Sequence, residues 1–94
     1  MTAPALAGNL DLDRAFVLEP QVALRDEEFG ALAYHYGTRR LVFLKSRGLV
    51  DLVRALEHHD TARAAIEATV EPKSRDRYAA ALANLATSGV IHER

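Results

Sequence analysis

The chain contains no cysteine. That excludes disulfides, thiolate nucleophiles, zinc–thiolate sites and cysteine-ligated iron–sulfur clusters. No apolar run approaches the ~20 residues that a membrane-spanning helix requires. The start, Met1 to Asn9, lacks the basic residues and long apolar stretch of a secretory signal, so the cytoplasm is the expected compartment and no membrane contact is expected. There is no glycine-rich phosphate loop, serine-centred nucleophile elbow or HExxH pair. These absences argue against an enzyme, and no cofactor is expected. A large charge of either sign is also missing: the net charge is −1, which speaks against a dedicated nucleic-acid binder.

What is present is ordinary globular material. The 94 residues are 49% hydrophobic and 27% charged, enough for one domain and too few for two. Such a domain buries roughly 60–65% of its unfolded surface and is marginally stable, so that a bound partner would add to its stability. The charges are segregated. Up to Glu28 the acids Asp11, Asp13, Glu19, Asp26, Glu27 and Glu28 face only Arg14 and Arg25. From Arg39 to Arg47 the charges are Arg39, Arg40, Lys45 and Arg47, with no acid. A second basic cluster, Lys73, Arg75 and Arg77, surrounds Asp76.

Residues 1–13 carry no period and read as a flexible tail, leaving 14–94 as the domain. Ala15 to Leu18 is a short apolar run closed by Glu19-Pro20, and Val22 to Leu24 follow. This predicts a bent first strand over 15–25, with Pro20 at an edge, bulge or turn because it donates no hydrogen bond. Phe29 to Tyr36 alternates. Leu32, Tyr34 and Tyr36 share one side; Ala31, Ala33 and His35 share the other. With only three tyrosines and three phenylalanines in the chain, Tyr34 and Tyr36 are expected in the core. Gly37-Thr38 reads as a short turn into a third strand, Arg39 to Lys45, which completes a hairpin. That strand is apolar on both sides, Leu41 and Phe43 against Val42 and Leu44, so both of its faces call for cover.

The period then changes. Ser46 is placed to cap a helix in which Leu49, Leu52, Val53 and Leu56 recur at helical spacing. Asp60 or Thr61 caps a short second helix with Ala62, Ala65 and Ile66 inward, ended by Glu71-Pro72. Ser74 is expected to cap a third helix with Tyr78, Ala81, Leu82 and Leu85 as its inner stripe, and Gly89 to close it. The predicted fold is α+β: a three-stranded antiparallel sheet followed by three helices.

Several constellations have a plain structural explanation. His58 and His59 are adjacent, point apart on a helix, and suit its C-terminal dipole better than a metal. His35 and His92 have no evident orienting carboxylate. Asp26-Glu27-Glu28 reads as a solvated turn between strands rather than an acid–base pair. Tyr34 and Tyr36 as a base-stacking platform is the weaker alternative to the core. Thr61 to Leu85 has a helix-turn-helix outline with Arg75 and Arg77 opening its second helix, so a winged-helix DNA-binding domain is the alternative function. Arg39, Arg40 and Lys45 could simply protect a sheet edge from aggregation. The same open edge could also accept another chain as an added strand, either a second copy or a peptide, and the basic clusters would favour an acidic peptide.

The run Val22 to Tyr34 (VALRDEEFGALAY) followed by Arg39 to Ser46 (RRLVFLKS) closely resembles the mycofactocin biosynthesis chaperone family. The later helices and the end Leu85 to Ile91 fit it too. The resemblance covers about residues 15–91. That family looks like part of the larger group of PqqD-like recognition elements for ribosomal, post-translationally modified peptides. The resemblance implies a winged-helix-like fold and a non-catalytic chaperone. It implies binding of the leader of a precursor peptide, and a complex with a radical S-adenosylmethionine maturase that carries the iron–sulfur chemistry. It implies that the leader adds beside the third strand and lies against the third helix. The implied peptide-binding residues are Arg39, Arg40, Leu41, Val42, Phe43, Leu44, Lys45, Arg75, Tyr78, Ala79 and Leu82, with Arg77 also meeting leader carboxylates. Backbone pairing falls to Arg40, Val42 and Leu44 or to their neighbours, a parity that sequence alone leaves open. Neither a metal nor nucleic acid enters this scheme.

Overall fold

The computed structural model describes residues 10–94. Its elements run β1 (Phe16–Leu18), β2 (Val22–Glu27), β3 (Gly30–His35), β4 (Arg40–Leu44), α1 (Arg47–Ala55), α2 (Ala62–Thr69), α3 (Arg75–Thr87) and β5 (Ile91–Glu93). Short 3₁₀ turns, Leu56–His58 and Pro72–Ser74, follow α1 and precede α3. β2, β3 and β4 form an antiparallel sheet in that order, which leaves β4 at an edge. The architecture is therefore the expected α+β arrangement of three antiparallel strands followed by three helices. Among the described residues no helix is long and apolar enough to cross a membrane.

The first strand departs from expectation. Residues 15–25 form two strands in two different sheets. The chain turns at Glu19-Pro20-Gln21, where the Val22 amide donates to the Glu19 carbonyl at 2.9 Å. β1 then pairs not with the main sheet but with β5, in the register Phe16↔Glu93 and Leu18↔Ile91. Pro20 at a turn satisfies its missing donor, and the closing Val90-Ile91 segment is a strand partner rather than a loose packing element. Residues 1–9 of the expected tail lie outside the described residues. Of the remainder, Leu10 and Leu12 pack on the core, and Asp13 bonds Arg63 at 2.9 Å.

The core lies between the sheet and the helices. Ala31 and Ala33 of β3 and Leu44 of β4 are essentially inaccessible, and so are Val50, Leu52, Val53 and Leu56 of the α1 region and Leu82 of α3. Each large apolar side chain so buried contributes roughly 1.5–3 kcal/mol. Period 2 is correct for β3, but its inward face is the alanine face. The small side chains let the helices approach the strand closely. Tyr34 and Tyr36 accordingly point outward, 36% and 63% exposed, and are not core residues. They pack edge to face on one another at 5.2 Å.

Capping follows the sequence at two helix starts. Ser46 Oγ accepts from the Leu49 amide at 3.1 Å, and Thr61 Oγ1 from the Ala64 amide at 3.0 Å. Ser74 precedes α3 but makes no capping bond. The 3₁₀ turn already brings the backbone in helical, and the hydroxyl instead donates to Glu71 and accepts from Arg77. α3 ends in a Schellman motif. Gly89 has φ +82°, its amide donates to Ala86 O, and the Val90 amide donates to Leu85 O. The β3–β4 turn spans four residues, Tyr36 to Arg39. Its positive φ (62°) falls on Arg39 and not on Gly37. His35 Nδ1 holds that turn by accepting from the Gly37 and Thr38 amides, both at 3.1 Å.

Candidate functional site

β4 is an edge of the main sheet and borders a trough lined by α1 and α3. Its free backbone groups can be assigned from the register. The Tyr36 amide donates to Gln21 O at 2.8 Å, beside the Val22↔His35 pair. Bonded and non-bonded pairs alternate along an antiparallel ladder, so Tyr34 and Leu32 direct their backbone groups to β2. Ala31, Ala33 and His35 direct theirs to Leu44, Val42 and Arg40 of β4. Leu41 and Phe43 are thus the β4 residues whose N–H and C=O groups point to the open edge. Side chains follow the complementary division: Val42 and Leu44 turn toward the helices, and Leu41 and Phe43 stand 50% and 52% exposed on the outer face.

Between β4 and α3 lies a trough made of two adjoining hollows. One, of about 320 Å³, is lined by Lys45, Ser46, Leu49, Arg77, Tyr78 and Ala81. The other, of about 230 Å³, is lined by Val42, Phe43, Lys45, Leu49, Ala81, Asn84, Leu85 and Ser88. Lys45, Leu49 and Ala81 line both, so the hollows lie side by side. The floor is apolar because α1 begins immediately after β4 and lays Leu49 under the gap. Tyr78 is held at one end. Its hydroxyl lies 3.5 Å from Ser46 Oγ, and the Arg77 guanidinium sits 5.7 Å from its ring centre. Gly48 makes this possible, since a methyl group there would collide with the Tyr78 hydroxyl.

Lys45 and Arg77 line the trough, while Arg39 and Arg40 lie in the turn before β4 and at its start. None of the four forms an ion pair among the described residues. Arg47 differs. Together with Arg54 it grips Asp26, at 3.1 and 3.2 Å, and Arg47 chiefly holds that carboxyl below its ordinary pKa against some desolvation. Asp26 and Glu27 are therefore strand residues, not a solvated turn, which is Glu28-Phe29. Much of the acidic N-terminal segment is spent in this way. Asp13 pairs with Arg63, Glu27 with Arg25 and Glu19 with His92. Hydrogen bonding to Arg63 lowers the Asp13 carboxyl as well. Lys45 and Arg77, which line the trough, stay without a salt-bridge partner among the described residues.

The residues expected to bind peptide divide into three groups. Leu41, Val42, Phe43, Lys45 and Tyr78 lie at the edge or in the trough, with Arg40 at the strand's start and Arg39 in the turn before it. Leu44 and Leu82 are wholly buried, and their side chains serve the core. Arg75 and Ala79 lie on the opposite side of α3, in a hollow shared with Leu12, Arg63 and Ile66. Arg75 there donates to Val70 O at 3.0 Å and Glu67 O at 3.2 Å, closing the end of α2. Sequence reasoning did not assign Leu49, Ala81, Asn84, Leu85 or Ser88 to the site. The signal was present in α3: steps of three and four from Tyr78 reach Ala81, Leu85 and Ser88, whereas Ala79 is a quarter turn away.

This arrangement offers free backbone groups, an apolar floor and a basic rim. It suits an extended chain bearing carboxylates. Among the described residues no three metal-ligating side chains converge.

Known proteins resemble this chain in sequence. A family model described as "Peptide chaperone MftB family" matches residues 15–92. A protein from Mycobacterium ulcerans named "Peptide chaperone MftB" is 46% identical over 90 residues, covering 95% of this chain and 83% of that protein. One of the same name from Mycobacterium tuberculosis is 43% identical over 98 residues, covering 98% and 90%. Another, from Mycolicibacterium smegmatis, is 44% identical over 84 residues, covering 88% and 82%. No solved structure matches the chain.

Proposed function

We propose a function from one premise: the chain belongs to the peptide chaperone MftB family. It is a non-catalytic cytoplasmic chaperone that binds the leader of the mycofactocin precursor peptide and presents it to a radical S-adenosylmethionine maturase. The observation that carries this reading is the open β4 edge beside an apolar trough with an unneutralised basic rim. The leader adds to β4 as a strand, its backbone paired with Leu41 and Phe43. Its trough-side residues lie over Leu49 and Ala81, against Tyr78 and Leu85. Its carboxylates meet Arg39, Arg40, Lys45 and Arg77.

Such a chaperone acts by position. Holding the leader on a domain that also docks on the maturase raises the local concentration of the modified end without altering the chemistry. All bond-making then belongs to the maturase, in keeping with a chain that has no cysteine for an iron–sulfur cluster.

The test is isothermal titration of the chain with the precursor leader, alongside duplex DNA. Saturable binding at about one to one, weakened by added salt, is expected for the leader and none for DNA. Ala81→Glu places a carboxylate in the trough without removing a buried side chain, and is expected to abolish leader binding. Unchanged binding by that variant would remove the trough from the proposal. DNA binding in place of leader binding would replace the proposal by the winged-helix alternative.

A further inference from the structure

We infer that β4 reads its peptide on both faces, and so selects a segment that is apolar at consecutive positions, flanked by acidic residues. The inference rests on strand addition at β4 as proposed above and extends it to the ligand's pattern. Side chains of an added strand alternate between the two faces of the sheet. Those on one face enter the trough. Those on the other lie beside Leu41 and Phe43.

A sheet face turned to solvent is ordinarily polar, above all at an edge. Here the edge strand presents Leu41 and Phe43, each about half exposed, on that face. The Phe43 ring is set in place by Phe29, stacked at 5.7 Å and 26°. The same two residues direct their backbone groups to the open edge. A ligand strand that bonds to Leu41 and Phe43 therefore has its outward side chains as their cross-strand neighbours. Apolar side chains there would cover surface that nothing in the domain covers.

Charge decides between a peptide and a second copy. Two β4 edges paired antiparallel would bring the Arg40 end of each toward the Lys45 end of the other, with no acid on either strand. That repels. A peptide with an apolar centre and acidic flanks matches both the outer apolar pair and the basic ends.

The test compares synthetic peptides with identical acidic flanks. One has a fully apolar centre. Two have centres in which apolar residues alternate with serine, in opposite phases. Cross-strand apolar pairs change binding by roughly 1.5- to 5-fold each. The fully apolar peptide is therefore expected to bind about tenfold tighter than the better alternating one. In the Leu41→Thr/Phe43→Thr variant, whose threonines keep a strand-forming residue, that gap is expected to close to about twofold. Equal binding of the apolar and the better alternating peptide by the unaltered chain would overturn the inference. So would an undiminished gap in the variant. Tight, equal binding of both phases would leave strand addition standing while sinking two-face reading; no binding by any peptide would overturn both.

Discussion

Phe43 and Leu44 are neighbours in β4 that face opposite ways, and replacing each by alanine measures that orientation. Leu44 is inaccessible and lies in the core against β3 and α1. Truncating such a leucine costs about 2–5 kcal/mol, the loss of transfer energy plus the cavity left behind. Domains of this length have roughly 5–14 kcal/mol of total stability. At about 4–8 °C per kcal/mol, Leu44→Ala is expected to lower Tm by ~10 °C or more. Phe43 is 52% exposed. Full burial of such a side chain contributes roughly 1.5–3 kcal/mol, so half of it gives about 1 kcal/mol and a fall in Tm of ~5 °C. Thermal unfolding followed by circular dichroism, with urea midpoints at unchanged m, separates the two. A Phe43→Ala variant destabilised as much as Leu44→Ala would refute the assigned facing. A register slip of one residue would produce that result, because it exchanges every side chain between the faces.

Thr61→Ala removes the cap of α2 and is expected to cost about 1 kcal/mol, read in urea unfolding. Gly48→Ala is expected to displace Tyr78 from the end of the trough; leader affinity should fall more than thermal stability, by parallel titration and melting. Asp26 has its folded pKa lowered, first by the Arg47 hydrogen bond. Its contribution to stability is therefore complete above the ordinary carboxylate value and is lost as pH falls through the folded value. Asp26→Asn should be less stable than the unaltered chain at neutral pH, and the difference should shrink as the pH falls below the ordinary carboxylate range, in urea unfolding across a pH series.

The sequence showed the caps at Ser46, Thr61 and Gly89, though not that Ser74 would leave α3 uncapped, and the two-sided third strand, because these depend on local chemistry. Ser46 and Thr61 cap through their own side chains, and Gly89 is needed where φ is positive. What it hid was decided by distant contacts. β1 and β5 are three residues each, too short for a period, and their pairing joins segments at opposite ends of the described chain. Alternation in β3 separates two faces without saying which is inward. Ala31 and Ala33 took the core because helices packed on them, and the tyrosines were left outside. The trough was half legible. On the α3 side Tyr78 and Arg77 line it, but Arg75 and Ala79, named with them, lie in the hollow between α3 and α2, and Leu82 is in the core. A helix stripe is fixed by what lies beside it, and Leu49 reaches the trough only because α1 turns back under β4.

The pairing of β1 with β5 sets Phe16 directly beside Glu93. A linker returning from Arg94 to Leu10 would join the two ends while leaving Leu10 and Leu12 on the core and Asp13 on Arg63, and the chain could be reopened in the exposed stretch around His58 and Asp60, between α1 and α2. The permuted chain would begin with α2 and end with α1, and β4 would sit in its interior with both trough walls intact. Recognition in this domain is then a property of neighbourhood and not of chain order. The trough could be transplanted between fusion partners, or wired to an enzyme through new termini, without redesigning the surface that holds the peptide.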